Sequence, residues 1–374
     1  MRRLGLAVLV VAAAALAGQA PAGVPPRAPS GFRYAVPGWT FAFPRDHGSH
    51  DGFQTEWWYY TGHLRGDNGH RYGFELTFFR VGVEARGGAP RTAWDLRHLA
   101  LAHFAISDLD GRKFRFHEKV SRMSPYTAGA AAGRLDLFNE GWSASTQPDG
   151  SWRIRASADG DAIDLVLRAA KPPAVHGTDG ISVKGPDAGA ASHYYSMTRL
   201  RAAGTIRAGG AASRCSGQVW MDHEFSTSVL GAAQEGWDWV SLQLDDGTEL
   251  MLYQMRNRDG TIDAASSGSF VDASGRVETL RASDYAIAAR GSWTSPKSGA
   301  AYPMGWRVAI PRLGLDLEVD AEMEDQELVT TSSTGVAYWE GAVRARGTSR
   351  GKRTTALGYV EMTGYAAPFK LRGQ

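Results

Sequence analysis

Glu56-Trp57-Trp58-Tyr59-Tyr60-Thr61-Gly62-His63-Leu64 is the stretch on which the fold turns, because its pattern returns in the second half of the chain. With Trp57 set on Trp237, it aligns with Glu235-Gly236-Trp237-Asp238-Trp239-Val240-Ser241-Leu242-Gln243-Leu244. After a turn, Phe74 to Arg80 aligns with Leu250 to Arg256, the second turn being shorter by four residues. Tyr194-Tyr195-Ser196 resembles Tyr338-Trp339-Glu340 in the same way. Each half therefore starts with a Trp-bearing hairpin and ends with an aromatic-led strand pair. Two copies of one strand order imply two similar barrels, 31–228 and 229–374, the second starting near Val229.

The stretches between these anchors alternate apolar and polar residues, the pattern of half-buried strands. Tyr72 to Arg80, Leu99 to Ile106, Ala162 to Leu167, Trp239 to Leu244, Trp306 to Ile310 and Leu315 to Val319 all do so. Asp/Gly turn signals separate them, as in Asp67-Asn68-Gly69, Asp245-Asp246-Gly247 and Asp272-Ala273-Ser274-Gly275. No segment reads as a helix of more than about three turns. The expectation is an all-β chain of two antiparallel β-barrels packed in tandem. Lys171 to Ser192, rich in Gly and Pro, reads as a loop inside the first barrel, either a plain connector or a cover over a site.

The N-terminus has the layout of a secretory signal peptide over residues 1–20. Arg2 and Arg3 precede an apolar run from Leu4 to Leu16, and Ala17-Gly18-Gln19-Ala20 follows. A bilayer span takes ~20 apolar residues, so an uncleaved anchor is the weaker alternative. No Cys follows the run, which argues against a lipoprotein. Residues 21–30 read as a flexible lead-in, and the expected destination is the periplasm. The formal charge of +2 loses Arg2 and Arg3 and no acid on cleavage, leaving 0. A nucleic-acid partner is not expected without a clustered basic face. Cys215 is the single Cys, so no intrachain disulfide can form and the chain must be held by core burial. It reads as a buried, inert thiol rather than a nucleophile. The chain has 12 Trp and 45 Gly, which suit many turns and either dense aromatic packing or a wall facing an apolar ligand.

The strongest chemical cluster is Trp220-Met221-Asp222-His223-Glu224-Phe225. On a strand, Trp220, Asp222 and Glu224 share one face, and Met221, His223 and Phe225 the other. Two carboxylates on one face raise each other's pKa, which suits a general acid; the alternative is that they accept backbone or Arg hydrogen bonds at a barrel end. His47, His50 and Asp51 follow no standard zinc spacing and read as a hydrogen-bonded loop closing a barrel mouth. Glu56 beside two Trp is expected to have a pKa raised by desolvation. His103 reads as a core His before a base. Tyr253, with Met251 and Met255 on its face, suits an irregular apolar site. The chain has no strand-to-helix Gly-x-Ser-x-Gly elbow, no His-Glu-x-x-His, no Walker loop and no Gly-x-Gly-x-x-Gly, which disfavours the usual serine hydrolases, zinc proteases, kinases and dehydrogenases. No metal and no cofactor are expected.

Several of these blocks resemble the signature of the AttH/CrtC-type family. They are Phe43 to His50 leading into Thr55 to Gly62, Tyr195 to Arg199, Gly217 to Glu224, and Gly358 to Tyr365. The resemblance spans nearly the whole chain beyond residue 20 and implies two lipocalin-like domains. Family members include carotenoid hydratases, plant-pathogen hydratases, fungal cyclases of the Diels–Alder type and secreted proteins known only as predicted hydrolases. A hydratase would protonate an alkene, stabilise the cation on aromatic faces and let water add. In the carotenoid hydratases a Trp stands at the place of Phe225 and an acid at the place of Met255. The resemblance therefore carries the fold rather than carotenoid hydration.

The reading that results is a protein that binds, and as an enzyme hydrates or hydrolyses, an apolar or amphipathic small molecule. Asp222 or Glu224 would be the acid and His223 a base or orienting group. Glu56, Trp57, Trp58, Tyr59, Trp220, Trp237 and Tyr253 would form the ligand wall, and Arg199 would pair with a carboxylate. The competing reading is a non-catalytic lipid carrier serving a membrane transporter complex. A third is a pair of barrels filled by their own Trp side chains.

Overall fold

The computed structural model describes residues 27–85, 96–187, 189–227 and 230–369. The expected signal peptide, most of the lead-in and the expected 228/229 boundary lie outside these residues. Among these residues, regular structure is all β apart from three single-turn 3-10 helices, Arg45–His47, Ala282–Asp284 and Pro311–Leu313.

The first sheet runs, neighbour to neighbour, Lys113–Arg122, His98–Asp108, Arg71–Gly82, Thr55–Gly66, Ser213–Ser226, Ala191–Ala208, Asp161–Ala169, Trp152–Ala158, Trp142–Thr146, Asp136–Asn139 and Ala128–Ala130. Its two edges nearly meet. The Ser121 hydroxyl donates to Asn139 at 2.7 Å, and Ser124 bridges to Ala128. The second sheet runs Val277–Arg281, Ser267–Val271, Glu249–Asn257, Gln234–Leu244, Lys352–Thr363, Ala337–Ser349, Leu315–Ala321, Gly305–Ile310 and Ala286–Arg290. It has fewer strands and curls only into a half-barrel. Both sheets share one order: a meander whose first strand pairs with the last strand of its unit.

Strand alternation sorts side chains between two environments. On Thr55–Gly66, Trp58, Tyr60 and Leu64 fill the first barrel, with Phe74, Leu76, Phe78, Val219 and Met221 from its neighbours. Val240, Leu242, Leu250, Leu252, Val360 and Met362 do the same in the second sheet. The opposite faces carry Tyr59, Trp220, Trp239, Met251, Tyr253 and Tyr359, which pack on each other. The two sheets thus meet through their outer faces. That contact explains why the central strands are buried on both sides and unusually aromatic. Polar contacts tie the sheets: Arg199 and Lys171 both reach the buried Glu249, at 2.5 and 2.6 Å, and Ser107 donates to Gln326 at 2.7 Å.

Candidate active site between the two sheets

A cavity of about 970 Å³, counting its open mouth, lies where the outer faces meet. The pairing registers show that its walls are built twice. Trp57 lies opposite Phe79, and Trp237 opposite Met255; Tyr59 pairs with Asp222, and Trp239 with Glu361. Tyr194 pairs with Glu224, and Tyr338 with Thr363. Asp222 and Glu361 are therefore counterparts, one from each sheet, as are Tyr194 and Tyr338.

Three cavity carboxyls are buried among neutral partners. Burial pushes Asp222 up to about 7, although Ser196, Tyr194 and Trp220 all donate to it. Burial pushes Glu75 up to about 7 against donation from Thr77 at 2.7 Å and Tyr338 at 3.3 Å. Burial pushes Glu361 up to about 8; among the described residues its donor is the Trp237 ring N–H at 2.8 Å. Neutral donors ease desolvation but do not cancel it. Each group is thus poised to hold a proton near neutral pH, the condition a general acid needs. Glu340 behind them is pushed well above the usual range by burial, and it accepts from Tyr59 at 2.6 Å.

Lys184, from the Gly- and Pro-rich loop, is the cavity's cation. Its ammonium lies 3.2 Å from Glu224 and 4.1 Å from the centre of the Tyr253 ring. The same loop brings His176, whose Nε2 lies 2.6 Å from the Ser196 hydroxyl that donates to Asp222. The loop therefore covers the site.

Of the residues singled out from the sequence, Asp222, Glu224, Trp57, Tyr59, Trp237, Tyr253, Met255 and His103 line the cavity. The others do not. His223 faces the barrel interior, fully buried, stacked on Trp58 at 4.6 Å and donating to Glu56 at 2.8 Å. It is one residue out of phase with Asp222, so it cannot serve as their base directly. Trp58 is held inside the same barrel, its ring N–H donating to the His47 carbonyl. Trp220 lies behind Asp222 as a donor rather than as wall. Arg199 pairs with Glu249 and with Gln218 at 2.8 Å, away from the cavity.

Glu56 corrects an expectation. It is fully buried, and burial opposes its charge, but Arg80 at 2.9 Å and donation from His223 and His50 hold it well below the usual range. His50 is raised, against burial, by Asp46 and Glu56 on its two ring nitrogens. His50, Glu56 and His223 stand close enough to converge on an ion. They do not fit a metal, because both rings are engaged as donors to Glu56 and the Arg80 guanidinium already neutralises it. The cluster clamps the Asp46–Asp51 loop onto the barrel mouth.

Glu75, Glu361, Lys184, Tyr194 and Tyr338 were not picked out from the sequence. Glu75 and Glu361 sit on alternating strands as polar positions, which ordinarily face water. Each becomes interior only because the other sheet packs on its outer face.

Residues 34–365 match the AttH-like family. A solved protein from Nitrosomonas europaea, provisionally assigned as AttH, is 34% identical, with 88% of this chain and 98% of that one covered and a TM-score of 0.78. Kievitone hydratase from Nectria haematococca is 14% identical over 91% of this chain and 98% of its own, with a TM-score of 0.69. CghA in complex with Sch210972 is 12% identical over 88% and 94%, with a TM-score of 0.53. These last two share the fold. No curated relative matches the chain. The extent of the family match and the 34% identity over most of both chains place this protein in the AttH-like family.

Proposed function

We propose that the protein binds an apolar, unsaturated small molecule between its two sheets and adds water to it, or hydrolyses it, by carboxyl acid–base chemistry. The observation that carries this reading is the set of three proton-holding carboxyls, Asp222, Glu75 and Glu361, set in a wall of Trp, Tyr, Phe and Met. In hydration, the Asp222 carboxyl gives its proton to an alkene carbon. The cation left on the neighbouring carbon is stabilised by the faces of Trp57, Tyr59 and Trp237. Water bonds to that carbon and loses a proton to a carboxylate of the same wall, so alkene and water become alcohol. His223 would act only from behind, by holding its strand. The proposal extends to a periplasmic site of action, which the signal-peptide layout of residues 1–20 supports.

The test starts from protein purified from its own cells. Native mass spectrometry and organic extraction identify a retained apolar molecule, which is then returned to the protein in isotopically labelled water. A product carrying the label, lost in Asp222→Asn with binding kept, supports the reading. A molecule retained but unchanged makes the protein a carrier, the role that would suit a membrane transporter complex. A protein that retains nothing removes the ligand site.

A further inference from the structure

Glu75 differs from the other cavity acids in what stands behind it. Its Oε1 accepts from the Tyr338 hydroxyl at 3.3 Å, and its buried Oε2 has no protein partner. The Tyr338 hydroxyl lies 2.7 Å from His103 Nδ1. His103 Nε2 lies 2.8 Å from the Ser333 hydroxyl, which lies 2.5 Å from Glu118 Oε2. His103 is fully buried, while Glu118 is half-buried on the Lys113–Arg122 strand at the sheet edge. The path is fixed by strand pairing as well as by side chains: Thr77, His103 and Glu118 stand in one row across three strands, Tyr338 comes from the Ala337–Ser349 strand of the second sheet, and Ser333 from the turn that precedes it. Every member can both donate and accept, and the contacts are continuous from the cavity to the edge.

We propose that Tyr338, His103, Ser333 and Glu118 form a proton path through which Glu75 exchanges its proton with the outside while a ligand fills the cavity. This rests on the reading of the cavity as an acid–base site and adds to it the route by which one acid is reloaded. For inward transfer, Glu118 gives its proton to the Ser333 hydroxyl, whose own proton moves to His103 Nε2. The proton on Nδ1 moves to the Tyr338 oxygen, and the Tyr338 hydroxyl proton moves to Glu75 Oε1. Only O–H and N–H bonds break and form. The imidazole ends as the other neutral tautomer, and the negative charge passes from Glu75 to Glu118. Burial holds His103 down at about 4, so the ring relays as a neutral group. Ser333 and Glu118 act as relay residues from behind the wall, since of this path Tyr338 and His103 line the cavity and they do not.

The test needs no substrate. In the full chain labelled with 15N-histidine, the His103 ring signals are followed by NMR as pH rises through neutrality. Ionisable groups facing Glu75 are Tyr338, Glu340, Tyr359 and Glu361 of the second sheet and Tyr59 of its own, and Glu118 faces His103. With Glu75 protonated, Tyr338 donates to Nδ1 and the proton sits on Nε2. With Glu75 ionised, Tyr338 turns to it and Nδ1 carries the proton. The expected result is a tautomer switch in the wild type that is absent in Glu75→Gln and kept in Asp222→Asn. One tautomer at every pH in the wild type overturns the path. So does a switch that survives Glu75→Gln, a substitution that keeps the side chain's shape. Turnover of a retained molecule with a fixed tautomer would sink the relay alone. A switching tautomer without turnover would sink only the enzymatic reading.

Discussion

Asp222 and Glu56 are both buried carboxyls, and they differ in charge because their donors differ. Asp222 meets neutral hydroxyls and an indole, whereas Glu56 meets a guanidinium and two imidazoles. Two stability measurements separate the cases. Burial lifts Glu361 from 4.5 to about 8, so the folded state binds more protons than the unfolded chain between those values. Stability therefore falls as pH rises through that window and is level above it. Glu361→Gln lacks this slope, and in urea unfolding it should exceed the wild type by on the order of 2–4 kcal/mol above the window and match it at the acid end. Glu56 is the reverse: its lowered pKa gives stability that is present above 4.5 and lost as pH falls through its folded value. Glu56→Gln should cost roughly 3–5 kcal/mol at neutral pH, with the deficit shrinking in acid. Equal stability of this variant at neutral pH would refute the clamp at the barrel mouth.

Strands bring distant residues into one row, and this is the scale at which the sequence becomes hard to read. Alternation shows which residues share a face of one strand, so Asp222 and Glu224 could be grouped from the sequence, as could Met251, Tyr253 and Met255. The register between strands sets Asp222 beside Tyr59, Thr77, His103 and Glu118, and no local signal encodes it. The Trp57/Trp237 correspondence was legible because the aromatic spacing repeats. The role of Glu361 was not, because its counterpart in the first sheet is an Asp within a different motif. Lys184 was hidden in a loop whose path only the fold sets. Some glycines hold the register. At Gly358 a Cβ would stand 1.8 Å from the Ser241 carbonyl oxygen of the paired strand. Gly358→Ala should split Lys352–Thr363 from Gln234–Leu244 and cost roughly 3 kcal/mol or more, which thermal unfolding would show as a lower midpoint. An unchanged midpoint would mean that the strand pair gives way without cost.

The whole molecule places its chemistry at a seam. The cavity walls, the Glu249 ion pairs and the Tyr59–Glu340 and His103–Tyr338 contacts all need both sheets. Residues 27–227 and 230–369 expressed apart should each expose a broad apolar face, aggregate or bind a hydrophobic dye, and lack the cavity. Two soluble halves with native-like exchange protection would contradict this. Composition forecast either dense aromatic packing or a wall facing an apolar ligand, and the repeat forecast two related units, but neither says that the units meet by their outer faces. That packing is what turns ordinary polar strand positions into neutral acids. The most direct test is infrared spectroscopy of the full chain, following the C=O stretch of protonated carboxyls, with bands assigned by Asp222→Asn, Glu75→Gln and Glu361→Gln. The account predicts protonated bands from all three at about pH 6 that shift when an apolar molecule enters and bleach as pH rises past about 8. Three carboxylates already ionised at about pH 6 would leave the cavity without a proton to give and would contradict it.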